Sequence, residues 1–263
     1  MAIDLNSLRR GSVLTPPRLL IYGTHGVGKT TLACGAPDPV LIQTEDGRGL
    51  IDIPSWGPLR SYSEIVEAIG VLANEDHGFK TVIIDSLDWS EPLVWAEVCR
   101  VNGWSSIEEP GYGKGYVATG DAWRYLFDGL DTLRNERGMT VILIAHCEVF
   151  NYKSPETEPY DRYVIKLHKR AAGIVQEHVD CVFFMNWRTS IVKDKVAGSK
   201  DGRARGVGGG NRVLYTEERP AFLAKNRYSM PETITIPDDP KAAWSALAST
   251  IPYFTPAPAQ AAE

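Results

Sequence analysis

Short apolar stretches alternate with segments of helical spacing along most of the chain. Residues 61–74 place Ile65 and Ile69 on one side of a predicted helix, and residues 120–138 form a longer amphipathic helix ending at Gly138. The apolar stretches, predicted as strands, are 18–23, 40–45, 81–85, 140–146 and 180–187. Strands that are apolar on both faces and separated by helices are typical of a mostly parallel sheet covered on both sides. The predicted fold class is therefore α/β.

The pattern changes after Trp187. Two alternating segments flank a region rich in Gly, Lys and Arg, which predicts a β-hairpin attached to the core. We find no linker long enough to separate a second domain. We therefore expect an N-terminal extension over 1–17, one core with its C-terminal hairpin over 18–253, and a flexible Pro/Ala-rich tail over 254–263.

Composition narrows the class of protein. The chain has 263 residues, 43% of them hydrophobic, and a formal net charge of -5, which suits a globular protein without a positively charged coat. Its four cysteines form no CxxC pair, so neither a zinc site nor a disulfide framework is indicated, and a reducing cytoplasm is expected. No signal-peptide core and no run of 18 apolar residues occur, so no membrane span is expected.

One stretch carries clear chemistry. GTHGVGKT, residues 23–30, fits G-x-x-x-x-G-K-[ST] and lies between a predicted strand and a predicted helix. Glycines let the backbone turn its N–H groups toward phosphate oxygens, Lys29 supplies a charge for the β- and γ-phosphates, and Thr30 offers a hydroxyl to Mg²⁺. The cofactors predicted are thus ATP and Mg²⁺. The residues predicted to bind the nucleotide are Gly23, Thr24, His25, Gly26, Val27, Gly28, Lys29, Thr30 and Thr31.

Asp85, at the end of the third predicted strand, is the second candidate metal residue beside Thr30, although it would also suit the cap of a following helix. Ser86 follows it, where some ATPases carry a water-activating glutamate. Glu45, at the end of the second strand, is the candidate base, with Asp46 as competitor; both would also suit an exposed turn.

His146 ends the fourth predicted strand, whose tip should lie near the γ-phosphate with the other strand ends. It is predicted to sense that phosphate. A half-buried histidine bonded to backbone is the alternative.

This set of residues resembles the RecA-like P-loop ATPases, with a mostly parallel twisted sheet flanked by helices. The segment AKNRYSMP, 224–231, is similar to the Lys-Asn-Arg motif of bacterial RadA and the Lys-x-Arg of KaiC-type ATPases. The resemblance implies that Lys225 and Arg227 reach into the ATP site of a neighbouring subunit, which makes the protein a head-to-tail ring or filament. Two residues apart on a strand, both would face one way. A solvated basic edge is the alternative.

The chain resembles the short, core-only RecA-like proteins of bacteriophages that anneal single strands, and SSIEEPGYGKGY, 105–116, resembles them too. This resemblance implies a phage protein of the host cytoplasm that binds single-stranded DNA in recombination, with a single-strand-binding protein as a candidate partner.

Three segments are candidates for binding single-stranded DNA. A predicted loop over 147–173 interleaves cations with aromatic side chains, which suits phosphates and bases, although acids there weaken the case. The hairpin region 188–212 carries seven cations against two carboxylates, and its GVGGG, 206–210, permits a mobile loop; a solvated face explains such charge equally well. The third segment is 111–116. The cations predicted to contact nucleic acid are Lys114, Arg162, Lys166, Lys169, Arg170, Lys193, Lys195, Lys200, Arg203 and Arg205.

The sequence therefore predicts a Mg-ATP-dependent, DNA-binding ATPase that promotes annealing or pairing of strands. A ring helicase or translocase, and a KaiC-like regulatory ATPase without DNA, remain the alternatives.

Overall fold

The computed structural model describes residues 14–47, 49, 51–194 and 203–255, and only the backbone within 189–194 and 203–209. The strands are Arg18–Gly23 (β1), Pro39–Gln43 (β2), Ser55–Pro58 (β3), Thr81–Asp85 (β4), Thr140–Tyr152 (β5), Tyr160–Ile165 (β6), Cys181–Asp194 (β7), Arg203–Tyr215 (β8) and Thr233–Ile236 (β9). The helices are Lys29–Cys34 (α1), Tyr62–Asn74 (α2), Leu87–Asn102 (α3), Lys114–Glu136 (α4), Lys169–His178 (α5) and Pro240–Ala248 (α6). None of these helices has the length and apolar character needed to span a bilayer.

The sheet has the order β3-β2-β4-β5-β1-β7-β8-β9, with β6 paired to β5. Strands β3, β2, β4, β5, β1 and β7 run parallel, whereas β8, β9 and β6 pair antiparallel to their neighbours. The register sets Gly23 opposite His146, and Asp85 opposite Gln43. The predicted α/β class, a mostly parallel sheet flanked by helices with a β-hairpin toward the C-terminus, is confirmed.

The two faces of the sheet are buried under different helices. Along β1, Leu20 and Tyr22 belong to the core beneath α2, α3, α4 and α5, whereas Leu19 and Ile21 belong to the core beneath α1 and α6. Because side chains alternate along a strand, a strand that is apolar on successive residues fills both layers. This layering leaves the strand ends open for chemistry.

Helix α4 begins earlier than the sequence predicts, at Lys114 rather than 120. Gly113 in the left-handed conformation (φ 68°) is its N-cap, and the buried positions continue through Gly115 and Thr119. A Cβ on Gly115 would overlap the carbonyl oxygen of Ile107, so this glycine allows close packing. Gly113 thus serves the left-handed helix start and Gly115 a tertiary contact, although glycine usually indicates a loop.

The predicted loop over 147–173 is largely ordered structure, and this prediction is wrong. Strand β5 continues past His146 to Tyr152, pairs with β6 from Cys147↔Ile165 to Tyr152↔Tyr160, and is followed by α5. Main-chain hydrogen bonds between the two strands stabilise the hairpin where the sequence is too polar to indicate strands.

The predicted hairpin after Trp187 is confirmed as the β7–β8 pair, but GVGGG, 206–210, does not form its turn. GVGGG lies inside β8, where Gly206 pairs with Ile191 and Gly208 with Thr189. Helices α3 and α6 and strands β3 and β9 have no counterpart in the sequence prediction. Of the predicted tail, Phe254 packs its ring on Trp244 at 5.3 Å, and residues 256–263 lie outside the described residues.

Candidate functional site

The phosphate loop connects β1 to α1 and has the backbone that its glycines permit. Gly26 (φ 70°) and Gly28 (φ 96°) are both left-handed. The Lys29 Nζ donates hydrogen bonds to the carbonyl oxygens of Gly23 (3.1 Å) and Thr24 (2.9 Å) and so bends back across the loop. Burial lowers the pKa of Lys29, which is the expected effect of removing a cation from water.

A cleft of about 260 Å³ opens over this loop. Its walls from the phosphate loop and α1 are His25, Gly26, Gly28, Lys29, Thr30 and Thr31. Three residues of the predicted set do not line it: Gly23 and Thr24 accept the Lys29 hydrogen bonds, and Val27 is fully buried in the core.

Thr30 and Asp85 meet at the bottom of the cleft. The Thr30 hydroxyl donates to Asp85 Oδ2 at 2.6 Å, and burial raises the pKa of Asp85 despite that hydrogen bond. No group of three or more His, Cys, Asp or Glu residues with the arrangement of a metal site occurs among the described residues. A hydroxyl and one carboxylate beside a phosphate loop fit Mg²⁺, which takes few protein ligands and completes its shell with phosphate and water. These two residues would hold the ion.

Glu45 lies in the wall of the cleft, whereas Asp46 is exposed and does not line it. The Glu45 Oε2 is 3.4 Å from the Ser86 hydroxyl and 3.9 Å from His146 Nδ1. Ser86, joined to Asp85 by a cis peptide, donates its N–H to the buried Thr44 hydroxyl at 3.0 Å. Small hydroxyl groups therefore occupy the place after Asp85, and the carboxylate beside the cleft belongs to Glu45, two residues after β2.

His146 is buried beside the cleft, and Asp88 fixes it in place. Asp88 accepts hydrogen bonds from the His146 N–H (3.0 Å) and from Nδ1 (2.9 Å), so Nδ1 carries a proton. Burial alone would raise the pKa of Asp88, but these hydrogen bonds outweigh it and lower that pKa. The His146 ring stacks on His25 of the phosphate loop, with centroids 3.8 Å apart.

Sequence reasoning missed Asp88. Its signal is an acid three residues after Asp85, within the first turn of α3, where a carboxylate suits the helix N-terminus. Asp85 itself contacts Thr30 and does not cap that helix, for which Ser86 is the N-cap.

Lys225 and Arg227 lie at the opposite edge of the sheet from their own phosphate loop. Arg227 contacts Asp180 at 3.2 Å, and Asp180 accepts from the N–H of Arg18, the first residue of β1. A strand of this length separates the two edges by about 17 Å. The predicted strand is wrong, because only Lys225 forms an isolated bridge, to Val182.

The two cations of this pair differ in freedom. The Lys225 Nζ donates to the carbonyl oxygens of Gln176 (2.7 Å) and Val179 (2.8 Å) at the end of α5, and burial lowers its pKa. The Arg227 side chain is half exposed and has its one described ion pair with Asp180.

Arg162 does not face solvent, and its predicted role at an open surface is wrong. Its guanidinium is buried, pairs with Glu218 at 2.8 Å and lies over the Tyr152 ring at 5.1 Å. Lys166 is exposed, and its N–H donates to the carbonyl oxygen of His146 at 2.9 Å.

Two of the predicted DNA segments meet in space. Tyr116, in the first turn of α4, stacks on His168, the N-cap of α5, with ring centroids 4.0 Å apart. This contact joins Lys114 to Lys169 and Arg170, all three exposed. We call the area formed by Tyr112, Lys114, Tyr116, His168, Lys169 and Arg170 the α4–α5 surface.

The hairpin cations are only partly described. Lys193, Arg203 and Arg205 lie in the paired strands β7 and β8, without a description of their side chains, and Lys195 and Lys200 lie outside the described residues.

The AAA domain family matches the chain over residues 15–228, most of its length. No curated protein matches it. Among 179 matching chains of solved structures, the one titled "Crystal structure of the RadB recombinase" has 17% sequence identity and a TM-score of 0.48, and the match covers 87% of this chain and 90% of that one. The chain, with its phosphate loop inside the matched range, belongs to the AAA domain family of P-loop ATPases.

Proposed function

We propose that this ATPase is a RecA-like, Mg-ATP-dependent protein that binds single-stranded DNA and promotes annealing or pairing of complementary strands. The observation that carries the proposal is the Tyr116–His168 stack, which unites cations and aromatic rings from two segments on one surface of an ATPase core. Cations follow phosphates and rings stack on bases, which suits a single strand.

In the proposed reaction, a water beside Glu45 attacks the γ-phosphorus of ATP, its proton passes toward Glu45, and the bond from the γ-phosphorus to the bridging oxygen breaks. Lys29 and the loop N–H groups hold the β- and γ-phosphates in line. Mg²⁺, when bound by Thr30 and Asp85, neutralises charge on the phosphate oxygens. His146, held by Asp88, is proposed to contact the γ-phosphate and so to sense whether it is present.

The neighbouring copy completes the site in this proposal. Arg227 lies beside the start of β1, and the phosphate loop of the same chain follows the other end of that strand, about 17 Å further along it, so we propose that Arg227 serves an ATP site in another subunit. Its half-exposed side chain supports that role, whereas Lys225, anchored on the end of α5, supports the segment that carries it. Head-to-tail assembly would follow, in a ring or a filament.

The α4–α5 surface is proposed to receive the DNA. Tyr112 is fully exposed and left-handed (φ 49°) between two left-handed glycines, so its ring projects into solvent. The hydrogen bond from Lys166 to the His146 carbonyl connects this side of the molecule with the cleft. We propose that nucleotide state acts on DNA affinity by this route.

The test is binding of a labelled single-stranded oligonucleotide by anisotropy over a salt series, together with ATP turnover. We expect binding that weakens as salt rises and turnover that single strands stimulate. Annealing of complementary oligonucleotides would then separate this role from unwinding of a forked duplex. An ATPase that neither binds nor responds to DNA would contradict the proposal.

A variant pair sharpens the test. Tyr112→Ala should weaken oligonucleotide binding roughly tenfold, since stacking on one base contributes about 1–3 kcal/mol. Tyr125→Ala is the matched control, because Tyr125, on α4, is also an exposed tyrosine but lies outside the α4–α5 surface. Equal affinities for the two variants would argue against this surface. A phage origin, a host-cytoplasm location and a single-strand-binding partner remain part of the proposal on the resemblance alone.

A further inference from the structure

Arg212 is a buried cation beside the phosphate loop that no motif assigns. It lies on β8, paired with Trp187 of β7 and Ile236 of β9, and only 7% of it is exposed. Because Arg212 is far from the phosphate loop in the sequence, no local pattern links the two. The fold brings it to Gly28, at the start of α1.

The guanidinium is anchored on one side and lies against the loop on the other. Its Nη2 donates to the carbonyl oxygen of Pro237 and to Asp238 Oδ1, each at 2.6 Å. A Cβ on Gly28 would overlap Nη1, so this nitrogen occupies the space that a side chain at position 28 would need. The Nε is buried and has no hydrogen-bond partner among the described residues.

Two cations lie beside Gly28. Lys29 and Arg212 are both nearly buried, and the loop also presents backbone N–H groups. The carboxylate paired with Arg212 belongs to Asp238, whose side chain is 98% exposed, so water weakens its compensation. Lys29 also faces Asp85 and Glu45 in the cleft, and a triphosphate bound there would bring further negative charge toward both cations.

We propose that Arg212 is a positioning residue for the triphosphate: it supports Gly28 in its left-handed conformation and adds positive charge behind the phosphate loop. Because Arg212 lies on β8, nucleotide affinity then depends on the base of the β7–β8 hairpin. This inference rests on the proposed ATP site and adds to it a residue outside the loop motif.

The experiment compares Arg212→Gln, Arg212→Lys and the control Arg219→Gln with the unaltered protein. Titration with a fluorescent ATP analogue gives the affinity, steady-state turnover gives kcat and KM, and thermal melting without nucleotide gives stability. We expect Arg212→Gln to weaken affinity about tenfold, which corresponds to one lost interaction with a charged group, and to raise KM more than it lowers kcat. Arg212→Lys should recover most of the affinity. Arg219→Gln, which removes an exposed cation paired with Glu232, should bind like the unaltered protein.

A purely structural Arg212 gives a different result. Arg212→Gln would then melt at a lower temperature yet bind the analogue with unchanged affinity, and that outcome overturns the inference. If the glutamine variant fails to fold, Arg212→Met keeps the buried stem without a charge and decides the matter in the same titration. If the unaltered protein binds no ATP analogue, the proposed ATP site itself is wrong. If it binds the analogue and Lys29→Ala does not, the ATP site stands, and the Arg212 variants then test the inference alone.

Discussion

Two carboxylates of α3 lie three residues apart and serve different parts of the molecule. Asp88 holds His146 at the cleft, whereas Glu91 accepts the N–H of His168 at 3.0 and 3.1 Å, where α5 begins. Residues at this spacing share one side of a helix. The first turns of α3 thus contact both the nucleotide cleft and the α4–α5 surface.

Asp88→Asn should lower kcat for ATP roughly tenfold with little change in KM, because a neutral amide would hold His146 less firmly at a site where orientation matters. Steady-state turnover checks this. Asp121→Asn is the control, since Asp121 is an exposed carboxylate of α4 in a surface ion pair with Arg124. Similar kcat values for the two variants would contradict a positioning role for Asp88.

Glu91 makes stability depend on pH. Burial raises its pKa from 4.5 to about 7, partly opposed by the His168 N–H and reinforced by Asp88. The folded protein therefore holds a proton that the unfolded chain releases, and this contribution to stability falls as pH rises from 4.5 to about 7. Melting temperatures across this range should fall less for Glu91→Gln, which cannot ionise. Parallel curves for both proteins would refute the assignment.

At the level of elements, the start of α4 depends on one close contact. Gly115 lies where a Cβ would overlap the Ile107 carbonyl oxygen, and this contact sets the segment that carries Tyr112 and Tyr116. The α4–α5 surface thus depends on a helix start that contains two glycines, Gly113 and Gly115, although glycine usually disfavours a helix. The buried contact between Gly115 and Ile107 therefore sets the position of the exposed side chains on this surface.

Gly115→Ala should lower the free energy of unfolding by about 2 kcal/mol, because an added methyl group must displace backbone. Gly70→Ala is the matched control: no atom lies within 4 Å of its Cβ, and alanine should stabilise α2 by up to about 1 kcal/mol. Denaturant unfolding measures both. A Gly115→Ala protein as stable as the control would show that the contact yields easily.

At the level of the whole molecule, the proposed chemistry is divided between copies. Each chain contributes the loop, Thr30, Asp85 and Glu45 at one edge of the sheet and Arg227 at the other. Such an arrangement makes turnover depend on assembly.

Lys29→Ala and Arg227→Ala should each be inactive alone and should regain part of the activity when mixed, because some interfaces then join an intact loop to an intact arginine. ATP turnover of mixtures at several ratios measures this. Lys225→Met, which removes a cation that is bonded to the end of α5, should mainly lower stability. Absence of recovery in mixtures, or turnover unaffected by dilution to monomers, would refute the shared site.

The sequence by itself determined the alternation of buried strands and helices, the phosphate loop, and the polar residues at strand ends. These features are local: a left-handed glycine, an apolar strand or a carboxylate after a strand is visible within a few residues. The parallel register then brings Thr30, Asp85, Glu45 and His146 to one cleft, as those patterns indicate.

Tertiary structure alone decided the rest. Four features depend on contacts between segments far apart in the chain. They are the pairing of Asp88 with His146, the burial of Arg162, the stack of Tyr116 on His168 and the approach of Arg212 to Gly28. Charge and residue type cannot distinguish an exposed arginine from one that a distant carboxylate and ring have buried. That distinction depends on which surfaces pack together, because packing sets the free energy of desolvation and so decides where each charged group can lie.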